Sequence, residues 1–250
     1  MRTEIWAHRG ASAAAPENTM AAFELAIQQG ADGIELDVHL SADRIIVVTH
    51  DESCRRVTGE NKMVCQLKLD ELRQLDFGRV MPGFGRQQIP TLEEVFDLVK
   101  PTDLTLNIEL KNSLILYPGL EEAVLNLARD HQMTDRICLS SFNHYSMVQA
   151  ASLIKEQNLS VPCGLLYDCG LYEPWVYARH AGASAIHPHY GNLRIPDLVE
   201  ACHDAGVKIH VWTVDAPDQI KKACLLGVDA IITNVPGEAV AICKKTNWTL

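Results

Sequence analysis

Two stretches of the chain, GIELDVHL (Gly33 to Leu40) and LNIELKN (Leu106 to Asn112), carry acids where a buried strand would carry only apolar residues. Side chains alternate across a strand, so Glu35, Asp37 and His39 share one face, opposite Ile34, Leu36, Val38 and Leu40. In the second stretch Asn107, Glu109 and Lys111 share a face, opposite Ile108 and Leu110. Two carboxylates ~4 Å apart at an effective dielectric of ~20 repel by roughly 4 kcal/mol, a large part of a domain's net stability. Something positive belongs between them. Glu35, Asp37 and Glu109 make a set of hard oxygen ligands, suited to one divalent ion, Mg²⁺ or Ca²⁺, rather than to a soft metal. Glu109 with Lys111 alone is equally well an ordinary ion pair; two such strands together favour a site. His39 is a further ligand or, more in keeping with its place near a strand end, a rim residue.

His8 in WAHRG and His50 in THD add two imidazoles, the groups that take a proton from one oxygen and give it to another near neutral pH. Arg9 and Lys111 bring fixed positive charge for a phosphate oxygen, Arg9 as a bidentate fork and Lys111 as a point charge. Trp212 in HVWTVD is expected as a substrate wall, its ring covering an apolar stretch and its N–H meeting a hydroxyl. His187, His189, Asn234 and Phe142 also end strands and line the pocket or serve core packing.

These residues need a frame that aims them at one point. Short apolar segments alternate with amphipathic ones: strands near Glu4–His8, Gly33–His39, Leu104–Leu110, Arg136–Ser140, Cys163–Leu166, Ala185–His187, Lys208–Thr213 and Ala230–Thr233. Helices are predicted over Asn18–Gln29, Thr91–Val99, Gly119–His131, Tyr145–Glu156, Pro196–Ala205, Pro217–Leu226 and Pro236–Lys244. Eight such units imply an α/β fold, the closed (β/α)₈ TIM barrel, whose chemistry gathers at the C-terminal ends of the strands. RIIVVTHD (Arg44 to Asp51) follows Leu40 too soon for a crossover helix, so it reads as an antiparallel hairpin on the second strand. A turn centred near Ala42 sets His50 opposite Ile34 and beside Glu35. A Gly- and charge-containing insertion follows at about 51–90, an inserted subdomain or a lid. The whole chain, 1–250, is expected to form one domain.

The chain has 250 residues and a formal net charge of −10, which argues against a polyanion such as nucleic acid as partner but permits a small anion in a locally positive pocket. It has no apolar run near the ~18 residues of a membrane span and no signal-peptide layout, so a cytoplasmic protein without membrane insertion is expected. Eight cysteines without a C-x-x-C pair read as reduced, mostly buried thiols. A homo-oligomer is compatible with all of this.

In order and spacing, HRG followed by PENT, then ELD, THD after a hairpin, IELK, LDELRQLDFG, IPTLEEVF, SSF, the WTV strand and ITN resemble the glycerophosphodiester phosphodiesterase family over nearly the whole chain. The resemblance implies a TIM barrel with a small insertion and a divalent-metal hydrolase that cuts glycerophosphodiesters into an alcohol and sn-glycerol 3-phosphate. Carried onto this sequence, it makes His8 and His50 the catalytic pair, Glu35, Asp37 and Glu109 the metal ligands, and Arg9 and Lys111 phosphate contacts. One departure is Arg44, where the family often has Gly in the hairpin turn. Phospholipase-like enzymes acting on intact lipid, and a barrel that binds phosphate esters without cutting them, are the rival readings.

Overall fold

The computed structural model describes residues 2–247. Eight parallel strands, β1 (Glu4–His8), β2 (Gly33–Leu40), β4 (Thr105–Leu110), β5 (Ile137–Ser141), β6 (Cys163–Tyr167), β7 (Ala185–Pro188), β8 (Lys208–Val211) and β9 (Ala230–Thr233), close into a barrel through the β1–β2 pairing. A ninth strand, β3 (Ile46–Val48), pairs antiparallel with β2 outside the ring. Between the barrel strands run α1 (Met20–Gln28), α4 (Leu92–Val99), α5 (Leu120–Asp130), α6 (His144–Glu156), α7 (Pro174–His180), α8 (Leu198–Asp204) and α9 (Pro217–Leu226), with α10 (Pro236–Asn247) after β9. Two four-residue helices, α2 (Arg55–Thr58) and α3 (Leu69–Leu72), lie in the segment between β3 and α4.

Local chemistry explains the helix starts nearest the site. Thr19 caps α1 by accepting the Ala22 N–H, and Thr91 with Glu94 forms a reciprocal capping box on α4. The main core lies between the outer strand faces and the helices: Ile34, Leu36, Val38, Leu106, Ile108 and Leu110 pack there with Phe23, Phe96 and Leu120. The opposite faces of β2 and β4 are thereby turned inward, so the barrel interior is where Glu35, Asp37, Asn107 and Glu109 must go. Gly10, at φ 81°, is required just after β1, since a Cβ there would sit 2.7 Å from Ala22 on α1.

The segment after β3 carries a small core of its own, with Val47, Val57, Val64, Leu72, Phe77 and Ile89 buried together. It is pinned back to the barrel where the Pro90 carbonyl accepts the Val48 N–H at 2.9 Å.

Three expectations need correction. The β2–β3 ladder pairs Val38 with Val48, His39 with Val47 and Leu40 with Ile46, so the turn centres on Asp43 rather than Ala42. The reason is a three-residue loop closed by the Ser41–Ile45 pair, with Arg44 in the left-handed region at φ 63°, the conformation a Gly would adopt freely. Helix α7 had no counterpart in the sequence reading; it is seven residues long, with only Pro174 and Ala178 buried, too little for a periodic signal. Not all the cysteines are free: Cys224 and Cys243, with Cα atoms 6.1 Å apart on the packed helices α9 and α10, form a disulfide.

Candidate active site

The C-terminal ends of β1, β2 and β4 meet at one point. Carboxylate oxygens of Glu35, Asp37 and Glu109 lie within 4.8 Å of one another, all three side chains buried. The repulsion expected from the sequence is visible in their protonation. Burial, then the charges of Asp37 and Glu109, push Glu35 well above the usual carboxylate range, and burial with Asp37 also raises Glu109. For Asp37, burial favours the neutral acid, but Arg9 and Lys111 outweigh it and hold the group below its ordinary value.

Each acid has one oxygen anchored by the protein. The Arg9 backbone N–H donates to Glu35 Oε2 at 2.9 Å, Asn18 Nδ2 donates to Asp37 Oδ2 at 2.8 Å, and Lys111 Nζ donates to Glu109 Oε1 at 2.8 Å. Glu35 Oε1 and Asp37 Oδ1 are buried without a hydrogen-bond partner. A buried acceptor without a donor is costly and calls for a reason. Two orphaned carboxylate oxygens beside a third acid fit a hard divalent ion.

His8 and His50 flank this cluster from two sides. His8 Nε2 lies 3.9 Å from Glu35 Oε2, while Nδ1 is 2.7 Å from Asn234 Oδ1. Asn234 is oriented by Asp215, whose Oδ2 accepts from Asn234 Nδ2 at 2.6 Å, so its carbonyl must face His8. His8 therefore carries its proton on Nδ1 and presents a lone pair on Nε2. Burial first, and Arg9 next, bring its pKa down to about 4. His50 Nδ1 lies 2.6 Å from Asp51 Oδ1, and its Nε2 accepts from Lys111 Nζ at 3.2 Å. The ladder ends before His50, so the histidine does not lie opposite Ile34. It reaches the site through Lys111 at the end of β4.

Arg9 stands among the acids, Nη1 donating to Glu17 at 3.0 Å and Nε 3.5 Å from Asp37. Glu17 in turn takes both terminal nitrogens of Arg56 at 2.7 Å, and Arg56 Nε donates to Asp51 at 2.7 Å. One chain of charged contacts thus runs from the insertion to the acidic cluster. His39 is neither ligand nor rim: fully buried, it donates Nε2–H to the His50 carbonyl at 3.1 Å and accepts the Tyr117 hydroxyl on Nδ1.

A cavity of about 80 Å³ opens beside these groups, lined by His8, Glu35, His50, Asn107 and Glu109, with Phe142 and Trp212 as an apolar wall. The two wall rings meet edge to face at 5.4 Å. Trp212 lines the pocket as expected, but its N–H is taken by the His187 carbonyl at 2.7 Å and does not offer itself to a hydroxyl. His187 is buried inside the barrel rather than in the pocket. The sequence reading assigned nothing to Asp51, Asp215, Glu17 or Asn18. Their signal was faint: Asp51 follows His50 directly and both Glu17 and Asn18 lie in PENT, but Asp215 gains meaning only from Asn234, nineteen residues on.

The model of the glycerophosphoryl diester phosphodiesterase family matches residues 8–238. The chain belongs to this family. It is 43% identical over 246 residues to the glycerophosphodiester phosphodiesterase of Caldanaerobacter subterraneus subsp. tengcongensis, covering 98% of this chain and 99% of that protein. It is 39% identical over 246 residues to the enzyme of the same name from Bacillus altitudinis, covering 97% and 99%. Among solved structures it resembles an Oleispira antarctica phosphodiesterase in complex with the product sn-glycerol-3-phosphate, with a TM-score of 0.87, 28% identity and 97% of each chain covered.

Proposed function

We propose that this chain hydrolyses glycerophosphodiesters to an alcohol and sn-glycerol 3-phosphate, using one divalent ion, Mg²⁺ or Ca²⁺, held by Glu35, Asp37 and Glu109. The observation that carries the reading is the pair of orphaned carboxylate oxygens set between two imidazoles in a chain of this family. When bound, such an ion supplies positive charge to the phosphoryl oxygens as a Lewis acid. Arg9 and Lys111 add fixed charge on the same side, and the wall of Phe142 and Trp212 covers the apolar part of a small diester.

The two histidines divide the proton work. His8, kept neutral by burial and open at Nε2, takes the proton from the attacking oxygen. His50, backed by the Asp51 carboxylate at 2.6 Å, is the better placed to carry a charge and gives its proton to the departing alcohol. Lys111 leaves His50 Nε2 for the phosphate as substrate enters. His39 and Tyr117 hold the His50 backbone in place.

The test is an assay for glycerol 3-phosphate release from several deacylated phospholipids, run with and without a chelator. Release that stops on chelation and returns with Mg²⁺ or Ca²⁺ is expected. Release only from intact lipid vesicles, or tight binding of glycerophosphodiesters without products, would support a rival reading.

A further inference from the structure

Below the acidic centre the barrel encloses a second cluster of a different chemical kind. We propose that Cys138, His187 and His210 form a separate site for a soft or borderline transition-metal ion, Zn²⁺ or Cu⁺ in character, reached from the N-terminal end of the barrel. Cys138 Sγ and one ring nitrogen of each histidine lie within 4.8 Å of one another, and all three side chains are buried. Donors on one tetrahedral zinc, with Zn–S of about 2.3 Å and Zn–N of about 2.0–2.1 Å, sit roughly 3.3–3.6 Å apart, so a small contraction closes the set. One thiolate with two imidazoles selects zinc or copper, in contrast to the three carboxylates above.

Independent features point the same way. His187 Nε2 and His210 Nδ1 approach to 2.8 Å, leaving His187 Nδ1 buried without any partner. An ordinary packed core rarely leaves a ring nitrogen orphaned. The ring of His187 also lies against Gly164, where any side chain would overlap it, so the strand β6 is shaped around this imidazole. Trp6 packs against His210 with ring centroids 4.5 Å apart and planes tilted by 58°, which restricts that ring further. Cys138 and His210 both line a cavity of about 240 Å³ that also touches Glu4 and Lys208, giving an entry path and room for a water as fourth ligand. Loading releases one net proton, from the Cys138 thiol: the hydrogen bond between His187 and His210 opens, and each neutral imidazole turns a lone pair to the ion and keeps its proton on the other nitrogen.

Cobalt(II) added to the reduced, metal-stripped full chain in the presence of excess Mg²⁺ tests this. A near-ultraviolet thiolate-to-cobalt band that saturates at one ion per chain is expected, abolished by Cys138→Ser and unchanged in Cys169→Ser and Asp37→Asn. Absence of the band, or its survival in Cys138→Ser, would overturn the proposal. Should Cys138→Ser not fold, X-ray absorption of the zinc-loaded native chain decides instead. One sulfur and two nitrogen ligands support the site, and an oxygen-only shell overturns it.

Discussion

The two ends of the barrel interior solve opposite problems. At the C-terminal end three acids, two cations and two histidines are crowded into one place, and every buried charge there has an opposite charge or a strong donor beside it. Lower down, Cys138, His187, His210 and Trp6 are packed as neutral groups, with burial alone pushing His187 down to about 3. The upper arrangement keeps carboxylates that repel one another side by side, whereas the lower one avoids charge altogether. The lesson is that one barrel interior can keep its acids on β2 and β4 and its neutral cysteine and histidines on β5, β7 and β8, on separate strands and at different heights.

The largest effect separates the two regions. His50→Ala and Glu109→Gln are each expected to lower turnover of a glycerophosphodiester by a factor of about 10²–10⁴, with an unchanged far-ultraviolet circular dichroism spectrum. Retained activity in either variant removes that residue from the reaction. A change confined to the lower region, such as His187→Gln, should leave turnover near the native level.

Leaving-group chemistry sharpens the division of labour within the upper region. On an aryl phosphodiester, whose departing phenol needs no proton, His50→Ala should recover most of its lost rate while His8→Ala should not. Equal recovery by both would mean that the assignment of acid and base is wrong.

The metal-free protein gives the next contrast. Glu35 is raised by its burial and by Asp37 and Glu109, so Glu35→Gln relieves repulsion and should raise the melting temperature in chelator while abolishing activity. In the lower region the sign is reversed. The pKa of His187, and with it that of His210, lies below the ordinary 6.5 through burial, so the unfolded chain binds protons that the folded chain refuses. The contribution of His187 is complete above pH 6.5 and fades as pH falls toward about 3, by about 1.4 kcal/mol per pH unit, and His210 acts in the same direction. Denaturant melts in chelator across this range measure it, and His187→Gln should flatten the slope.

How much of this could be read from the residues follows from the range of each interaction. The acids on β2 and β4 were legible because strand alternation is local and Glu35, Asp37 and Glu109 break it in the same sense. The eight strands were legible for the same reason, with β1 and β9 found at Glu4–His8 and Ala230–Thr233 as expected. The position of His50 was not, because it depends on the backbone of one turn residue, Arg44, taking a left-handed conformation that its side chain does not advertise. The Asp215–Asn234–His8 chain and the His187–His210 contact were invisible because closure of the barrel alone brings those residues together. Arg44→Gly offers the smallest test of this account: stability should change by less than about 1 kcal/mol and activity not at all, since the turn already has the shape glycine prefers.

Calorimetric titration of Mg²⁺ and Ca²⁺ into the metal-stripped chain tests the central claim most directly. One ion per chain should bind, binding should be lost in Asp37→Asn and Glu109→Gln, and it should persist in His50→Ala and Cys138→Ser. Binding that is absent from the native chain, or that survives removal of either carboxylate, would contradict the proposed cation site.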